Sequence, residues 1–455
     1  MALDSALSEE NEGDSTREAS TLTSSDKRSA STVSAKKLYL PPEKFKQPFK
    51  PPAGIDVKKL PETYTSNSDR EKLINSFAYN FRRQYVYLYR ERKPLFLCPL
   101  NEAGVEKFVV LTVRLSLLPF RELWNYDGAS SFVADYLAFE PLENPIELPK
   151  CLYSPTTILK LQRGNCFDFS VLLCSFLLGA GYDAYVVCGY ATKETCFMDE
   201  SREVCPLLTK TEEVTKKEVI ESEKKYSVKP PKDLTSKYER FMEEKRRKEE
   251  ADRAEKARLE ELARIAELDK PPPDDLHGLR IHSWVLVLEG KREVPENFFI
   301  EALTGQTFSV GHPAYLGIES LWNHQNYWVN MQDCSNGCKD LSFDLGDCTK
   351  WEYMFPHVNK PTLQIPDQDV DQLYGDEDED QQLDNRMVEL PPSWVDEIVL
   401  SDLDFETRCP EGKKTVLYKK ARLEKFAVYS LRDGLVKRLS VYEEYESKLH
   451  LRTLY

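Results

Sequence analysis

The sequence predicts an α+β fold. A central helix headed by a cysteine packs against an antiparallel sheet, a long charged helix interrupts this core, and a small β-rich module follows. Three observations predict it. Gly164, Asn165, Cys166, Phe167, Asp168, Phe169 and Ser170 open an apolar run that ends at Gly179 and Gly181, and the strand-like residues 184–190 follow. His282 and Glu301 stand in two short apolar runs far downstream. Between the two parts, residues 234–268 hold neither Gly nor Pro and are dense in Glu, Lys, Arg and Ala.

Each element follows from its local chemistry. Residues 1–36 are rich in Ser, Thr, Glu and Lys and lack aromatics, so they bury too little apolar surface to offset ordering entropy and are expected to be disordered. Residues 38–61 are Pro- and Lys-rich and suit an extended strap on a surface. Together these give a disordered and Pro-rich segment over 1–62. The first half of the core spans 63–190. In it, Ile74, Phe77, Phe81, Tyr85 and Leu88 recur at helical spacing, and residues 131–137 form a second helix-like run. The cysteine helix is apolar on nearly every face, so it is expected to be central and buried.

An insertion over 191–276 carries one long helix at about 233–270. Pro230 and Pro231 precede it, Asp233 can cap it, and Pro271, Pro272 and Pro273 stop it. Its apolar stripe is thin: Leu234, Tyr238 and Phe241 at one end, Leu259, Leu262 and Ala266 at the other. The stripe suits partner packing at both ends, and the charged middle reads as a solvated helix held by pairs four apart. The second half of the core spans 277–360. His282 opens one strand there, and Phe298, Phe299, Ile300 and Glu301 form its neighbour, closed by Thr304 and Gly305. An acidic linker occupies 361–390. The β-rich C-terminal module, 391–455, alternates as short strands around a turn near Cys409, Pro410 and Gly412.

With 455 residues the chain has room for two or three domains, and its net charge of −15 disfavours sequence-independent nucleic-acid binding. Residues 1–5 carry neither a basic n-region nor an apolar h-region, so no secretory signal is expected. The longest apolar stretch, residues 169–180, is too short to span a bilayer. An intracellular location is the expectation, with the 11 cysteines as reduced thiols.

The candidate catalytic residues are Cys166, His282 and Glu301. A nucleophilic cysteine must be a thiolate, and a helix N-terminus favours that charge. Two neighbouring strands can offer His282 and Glu301 on one face, so that Glu301 orients His282 and His282 deprotonates Cys166. A structural account stands beside this one: Cys166 a buried thiol, His282 a satisfied core histidine and Glu301 a surface charge. No oxyanion donor stands out: Gln162 is the only nearby upstream amide, and its spacing does not fit that role. Cys334, Cys338 and Cys348 with His324 lack the paired spacing of a structural zinc site, so no metal or other cofactor is expected.

The run from Gly164 to Ser170, with Gly181, Tyr182, Asp183 and Ala184, then Gly189 and Tyr190, then His282, Ser283, Trp284 and Val285, resembles the transglutaminase-like (papain-like) superfamily core. The resemblance implies Cys166 as nucleophile, His282 as base and position 301 as orienter, where Glu replaces the usual Asp. The longer runs at 95–102, 202–206, 291–300 and 317–324 resemble a family of coiled-coil-containing proteins of the nexin–dynein regulatory complex, in the ciliary and flagellar axoneme. That resemblance covers residue 60 to the end. It implies a structural subunit that governs motility, located in the cytoskeleton of the cilium or flagellum. The implied partners are other subunits of the complex and axonemal doublet microtubules, with no nucleic acid and no membrane. Members of that family continue beyond the length seen here, which implies a short form. Three readings stay open: a non-catalytic scaffold, an active cysteine peptidase or acyltransferase, and a peptide-binding module that keeps the cleft without the chemistry.

Overall fold

The computed structural model describes residues 49–208, 236–269, 274–355, 362–364, 387–428 and 430–442. The expectations of disorder over 1–36 and of the caps and proline stops flanking the long helix lie outside the described residues, as does the acidic linker except for its ends, Thr362–Gln364 and Met387–Glu389, which pair as antiparallel strands.

The elements form in the following order. Helix α1, Asp69–Leu88, starts with a capping box in which the Ser68 side chain accepts from the Glu71 amide and Glu71 accepts in return. It buries Ile74, Ala78 and Tyr85 and leaves Leu88 in solvent. Helix α2, Tyr126–Tyr136, packs against α4, Cys166–Gly179, with the short α3, Pro155–Leu161, between them in sequence. Strand β1, Ala184–Ala191, follows. The long helix α5, Lys237–Asp269, then separates it from β2, Ile281–Val287. Strands β3, Phe298–Glu301, β4, Gln306–Ser309, β5, Tyr315–Trp322, β6, Tyr327–Asn330, and β7, Trp351–Tyr353, complete one sheet.

That sheet is antiparallel throughout, in the order β4-β3-β2-β1-β5-β6-β7. Helix α4 lies on one face, against β1 and β2. It is buried along its length by Val186, Cys188, Val285, Val287 and Ile300 on the sheet side and by Phe132, Val133 and Leu123 on the other. Each fully buried Leu or Phe contributes about 1.5–3 kcal/mol relative to exposure. Alternate residues of the same strands face the opposite way. Trp284, Leu286, Phe299 and Tyr315 join Phe343 and Trp351 in a second core beneath the loop before β7. The sheet is therefore covered on both faces.

Two features differ from the sequence reading. Residues 391–400 do not begin a separate module, because Trp394, Val395, Ile398 and Leu400 are buried in the main core. The Trp394 ring meets Tyr64 edge-on with centroids 4.9 Å apart. The C-terminal sheet proper starts later, with β8, Lys413–Tyr418, β9, Ala421–Phe426, and β10, Lys437–Val441, in sequential antiparallel order. It closes a small core of Tyr418, Ala421 and Leu423 around Cys205, and its strand end is tied to residues 203–204 by the Lys419 amide on the Glu203 carbonyl, 2.8 Å. Lys425 pairs with Asp135 at 2.5 Å and Arg408 pairs with Glu122 at 2.5 Å, so α2 and the preceding turn also hold this sheet. Of the strap, residues 49–61 are described; the Phe49 ring lies over Gly104 and Leu60 packs on the main core.

Gly189 marks the tightest point in the sheet. A Cβ there would lie 2.2 Å from the Gly317 carbonyl oxygen and 2.7 Å from the Trp284 ring, at the bulge between β1 and β5. We expect Gly189→Ala to lower stability by roughly 1–3 kcal/mol through overpacking. Urea unfolding of the two chains measures it, and an unchanged midpoint would show that the strands yield without cost.

Candidate functional site

Cys166 is the first residue of α4. Asn165 precedes it as the cap: its side-chain oxygen accepts from the Phe167 amide at 2.9 Å and from the Asp168 amide at 3.4 Å. Asp168 completes the box by accepting from the Asn165 amide at 2.9 Å and, through its other oxygen, from the Tyr153 amide at 3.2 Å. A Cβ on Gly164 would sit 2.8 Å from the Asp168 Cβ, so only glycine lets the chain enter this close to the cap. Burial pushes the Asp168 carboxyl up to about 7, against the two backbone amides that favour its charged form.

The three candidate residues meet. His282 Nε2 lies 3.0 Å from Glu301 Oε2, across the β2–β3 pair. The Cys166 side chain lies beside the imidazole. Since Nε2 faces Glu301, Nδ1 is the nitrogen left for the sulfur. Burial alone would push the His282 pKa down. The negative charge of Glu301 and its hydrogen bond, with the neighbouring Cys166 side chain, outweigh burial and hold it well above the ordinary histidine range. Glu301 is fixed from two further sides: the Tyr315 hydroxyl donates to Oε2 at 3.2 Å and the Leu303 amide donates to Oε1 at 3.3 Å. The extra methylene of Glu therefore does not take the carboxylate out of reach. The expectation of Glu301 as a surface charge is corrected, because the neighbouring strand and the Tyr315 ring enclose it.

Cys166, His282 and Glu301 are only 2%, 1% and 2% exposed. The segment after β1 lies beside them. Cys196, in the helical turn Lys193–Cys196, feels the charges of His282, Cys166 and Glu301, and burial pushes its own thiol up to about 11. Met198 packs onto the same core that holds Cys166. The exposed Phe197 ring packs on the buried Arg280 guanidinium, 5.4 Å from the ring centroid, and Arg280 is in turn held by Asp274 at 2.7 Å. A pocket of about 310 Å³ opens nearby, lined by Thr195, Met198, Glu301, Thr304 and Tyr315, but neither Cys166 nor His282 lines it. The opening thus reaches the acid end of the chain of hydrogen bonds and not the sulfur.

Gln162 caps α3 in a left-handed conformation, φ 52°. Tyr315 and Cys196 are members of the site that sequence reasoning missed; neither stands in a motif, and only the sheet order brings them in. Cys334, Cys338 and Cys348 are half-buried, buried and exposed respectively, and among the described residues no three His, Cys, Asp or Glu side chains form a group that could hold a metal ion. No described helix is long and apolar enough to cross a membrane.

This geometry stands beside clear sequence relationships. Residues 150–227 and 277–354 match the family model of the CEP76 peptidase-like domain, so both halves of the Cys–His–Glu arrangement fall within it and all of α5 falls in its gap. Residues 410–454 match the model of the dynein regulatory complex subunit 7 MORN domain. The Xenopus tropicalis and Mus musculus proteins called dynein regulatory complex subunit 7 are each 54% identical to this chain, over 84% and 86% of it. This chain is related to dynein regulatory complex subunit 7. A more distant relative, the Drosophila melanogaster coiled-coil domain-containing protein lobo, is 32% identical over 85% of the chain. The chain spans 45% of the length of each of these three relatives.

Two predictions follow from the geometry. In the unfolded chain an aspartate ionises near pH 3.9, whereas Asp168 in the fold ionises at about 7. Between those values the native state binds the extra proton, so its stability falls as pH rises. Asp168→Asn should remove that slope: the stability gap between the two chains, read by urea unfolding, shrinks or reverses from pH 5 to pH 8. Parallel profiles would contradict the buried charge. Separately, Phe197→Ala frees the segment clamped by Arg280 and should speed alkylation of Cys166 several-fold, read by mass spectrometry. An unchanged rate would mean that another element closes the site.

Proposed function

We propose that this chain is part of a structural subunit of the nexin–dynein regulatory complex in the ciliary or flagellar axoneme, with a thiol site that is not used for catalysis. The names of its relatives support the first half of this reading. Burial supports the second: a cysteine nucleophile must meet its substrate, and Cys166, His282 and Glu301 are together enclosed. The core reads as a degenerate transglutaminase-like, papain-like domain. A cysteine heads a central helix, and a histidine and an acid stand on adjacent strands in that chain order. On this reading the domain is an assembly surface that helps govern dynein-driven motility. Its partners are other subunits of the complex and doublet microtubules, and nucleic acid and membrane are not among them.

A second reading is favoured by one observation, the hydrogen bond between His282 and Glu301 with the Cys166 side chain beside the imidazole. In an active cysteine peptidase or acyltransferase, His282 would take the thiol proton, the sulfur would attack an amide carbonyl, and the C–N bond would break as His282 returned that proton to the departing amine, leaving a thioester on Cys166. Substrate would then have to displace the segment at 192–199.

The alkylation rate of Cys166 against pH, in the native chain and in His282→Gln, separates the two. The scaffold reading expects slow labelling with an ordinary thiol profile that is indifferent to the substitution. Fast labelling that persists below neutral pH and collapses in His282→Gln would overturn it in favour of the enzyme.

A further inference from the structure

Helix α5 is 33 residues long, and every side chain described on it is exposed, including Tyr238, Phe241, Leu259 and Leu262. At 1.5 Å per residue it extends about 50 Å. With Met242, five large apolar side chains stand in water on one helix and need a cover, and the sequence of the helix specifies which one.

Read as heptads with Tyr238 at position a, the seam residues are Tyr238, Phe241, Lys245, Lys248, Asp252, Glu255, Leu259 and Leu262, alternately a and d. This series is complementary to its own reverse. Laid antiparallel on a second copy about a two-fold axis beside Glu250, Tyr238 meets Leu262, Phe241 meets Leu259, Lys245 meets Glu255 and Lys248 meets Asp252. Each meeting joins an a position to a d position, as antiparallel pairing requires. The flanking g positions agree, since Glu244 falls opposite Arg258 and Ala251 opposite its own copy at the axis. The one like-charge contact in this register, Glu249 with its own copy, is eased by Lys245 on the same helix, 4.0 Å away. A parallel, in-register pair would set Lys245, Lys248, Asp252 and Glu255 each against itself. Charge therefore selects the orientation and the register, and the apolar ends supply the attraction.

We propose that α5 is a homodimerisation element: two copies of this chain pair through an antiparallel coiled coil centred near Glu250, with apolar contacts at both ends and Lys–acid pairs between them. The interface is isologous, so it closes at two copies. It lies on a different element from the thiol site and stands whether or not Cys166 is reactive.

Sedimentation of the whole chain over a dilution series tests the proposal. The native chain should pass from dimer to monomer on dilution. Lys245→Glu with Lys248→Glu makes the central seam wholly acidic, and Asp252→Lys with Glu255→Lys makes it wholly basic. Each variant alone should lose the dimer at the concentration where the native chain keeps it, and an equal mixture of the two should recover a one-to-one dimer. In the native dimer, a zero-length carbodiimide cross-link should join Lys245 of one copy to Glu255 of an isotope-labelled other. A native chain that stays monomeric would overturn the proposal and leave the helix to a different protein. Variants that dimerise like the native chain, or cross-links in a parallel register, would overturn it as well.

Discussion

A helix that is apolar on every face can persist in water only when other elements cover all of it. Helix α4 is such a helix, and the arrangement of the core around it follows. The sheet covers one side through β1 and β2, and α2 with the preceding turn covers the other. Its start is equally constrained. Asn165 and Asp168 close the N-terminus with reciprocal bonds, and Gly164 leaves room for them. Because α4 cannot shift, Cys166 cannot shift either. Its partners are placed by strands that pack on the same helix, so a chain of hydrogen bonds between residues distant in sequence needs no separate explanation.

Much of this was legible in advance because the signals are local. The apolar run after Cys166, the strands at 184–190 and around His282, and the uninterrupted charged stretch each carry their own periodicity or punctuation. The meeting of His282 with Glu301 was legible too, since two short strands joined by a turn at Gly290 have few ways to pair. Closure of the site was not. It depends on Phe197 against Arg280 and on Met198 against the core, contacts between residues without a pattern. Nor could the sequence show that Trp394 belongs to the main core. Two prolines before it mark a boundary in composition, yet the Tyr64 ring offers it a buried face. Tyr315 entered the site only through the order of strands in the sheet.

The site combines features that usually part company. Its electrostatics favour the charged imidazole, because Glu301 beside His282 raises the pKa of the ring. Its access is that of a structural core. The hydrogen bonds from Tyr315 and Leu303 to Glu301 explain how both can hold at once. They satisfy the carboxylate whether or not the sulfur reacts, so the buried polar chain carries no orphaned group and can persist as part of the packing.

The insertion that holds α5 leaves the sheet at the end of β1 and returns at the start of β2, where Tyr190 and Ile281 are paired neighbours. Its two ends are thus pinned roughly 5 Å apart, whatever its length. This geometry has a mechanical meaning. Tension drawn through the insertion would not load the β1–β2 hydrogen bonds together, as a pull along the strands would. It would open them one rung at a time, beginning at Tyr190 and Ile281 and passing next to Gly189 and His282. The long helix is therefore a handle on the weakest direction of the sheet, and a load on it reaches the histidine of the buried thiol site at the second rung.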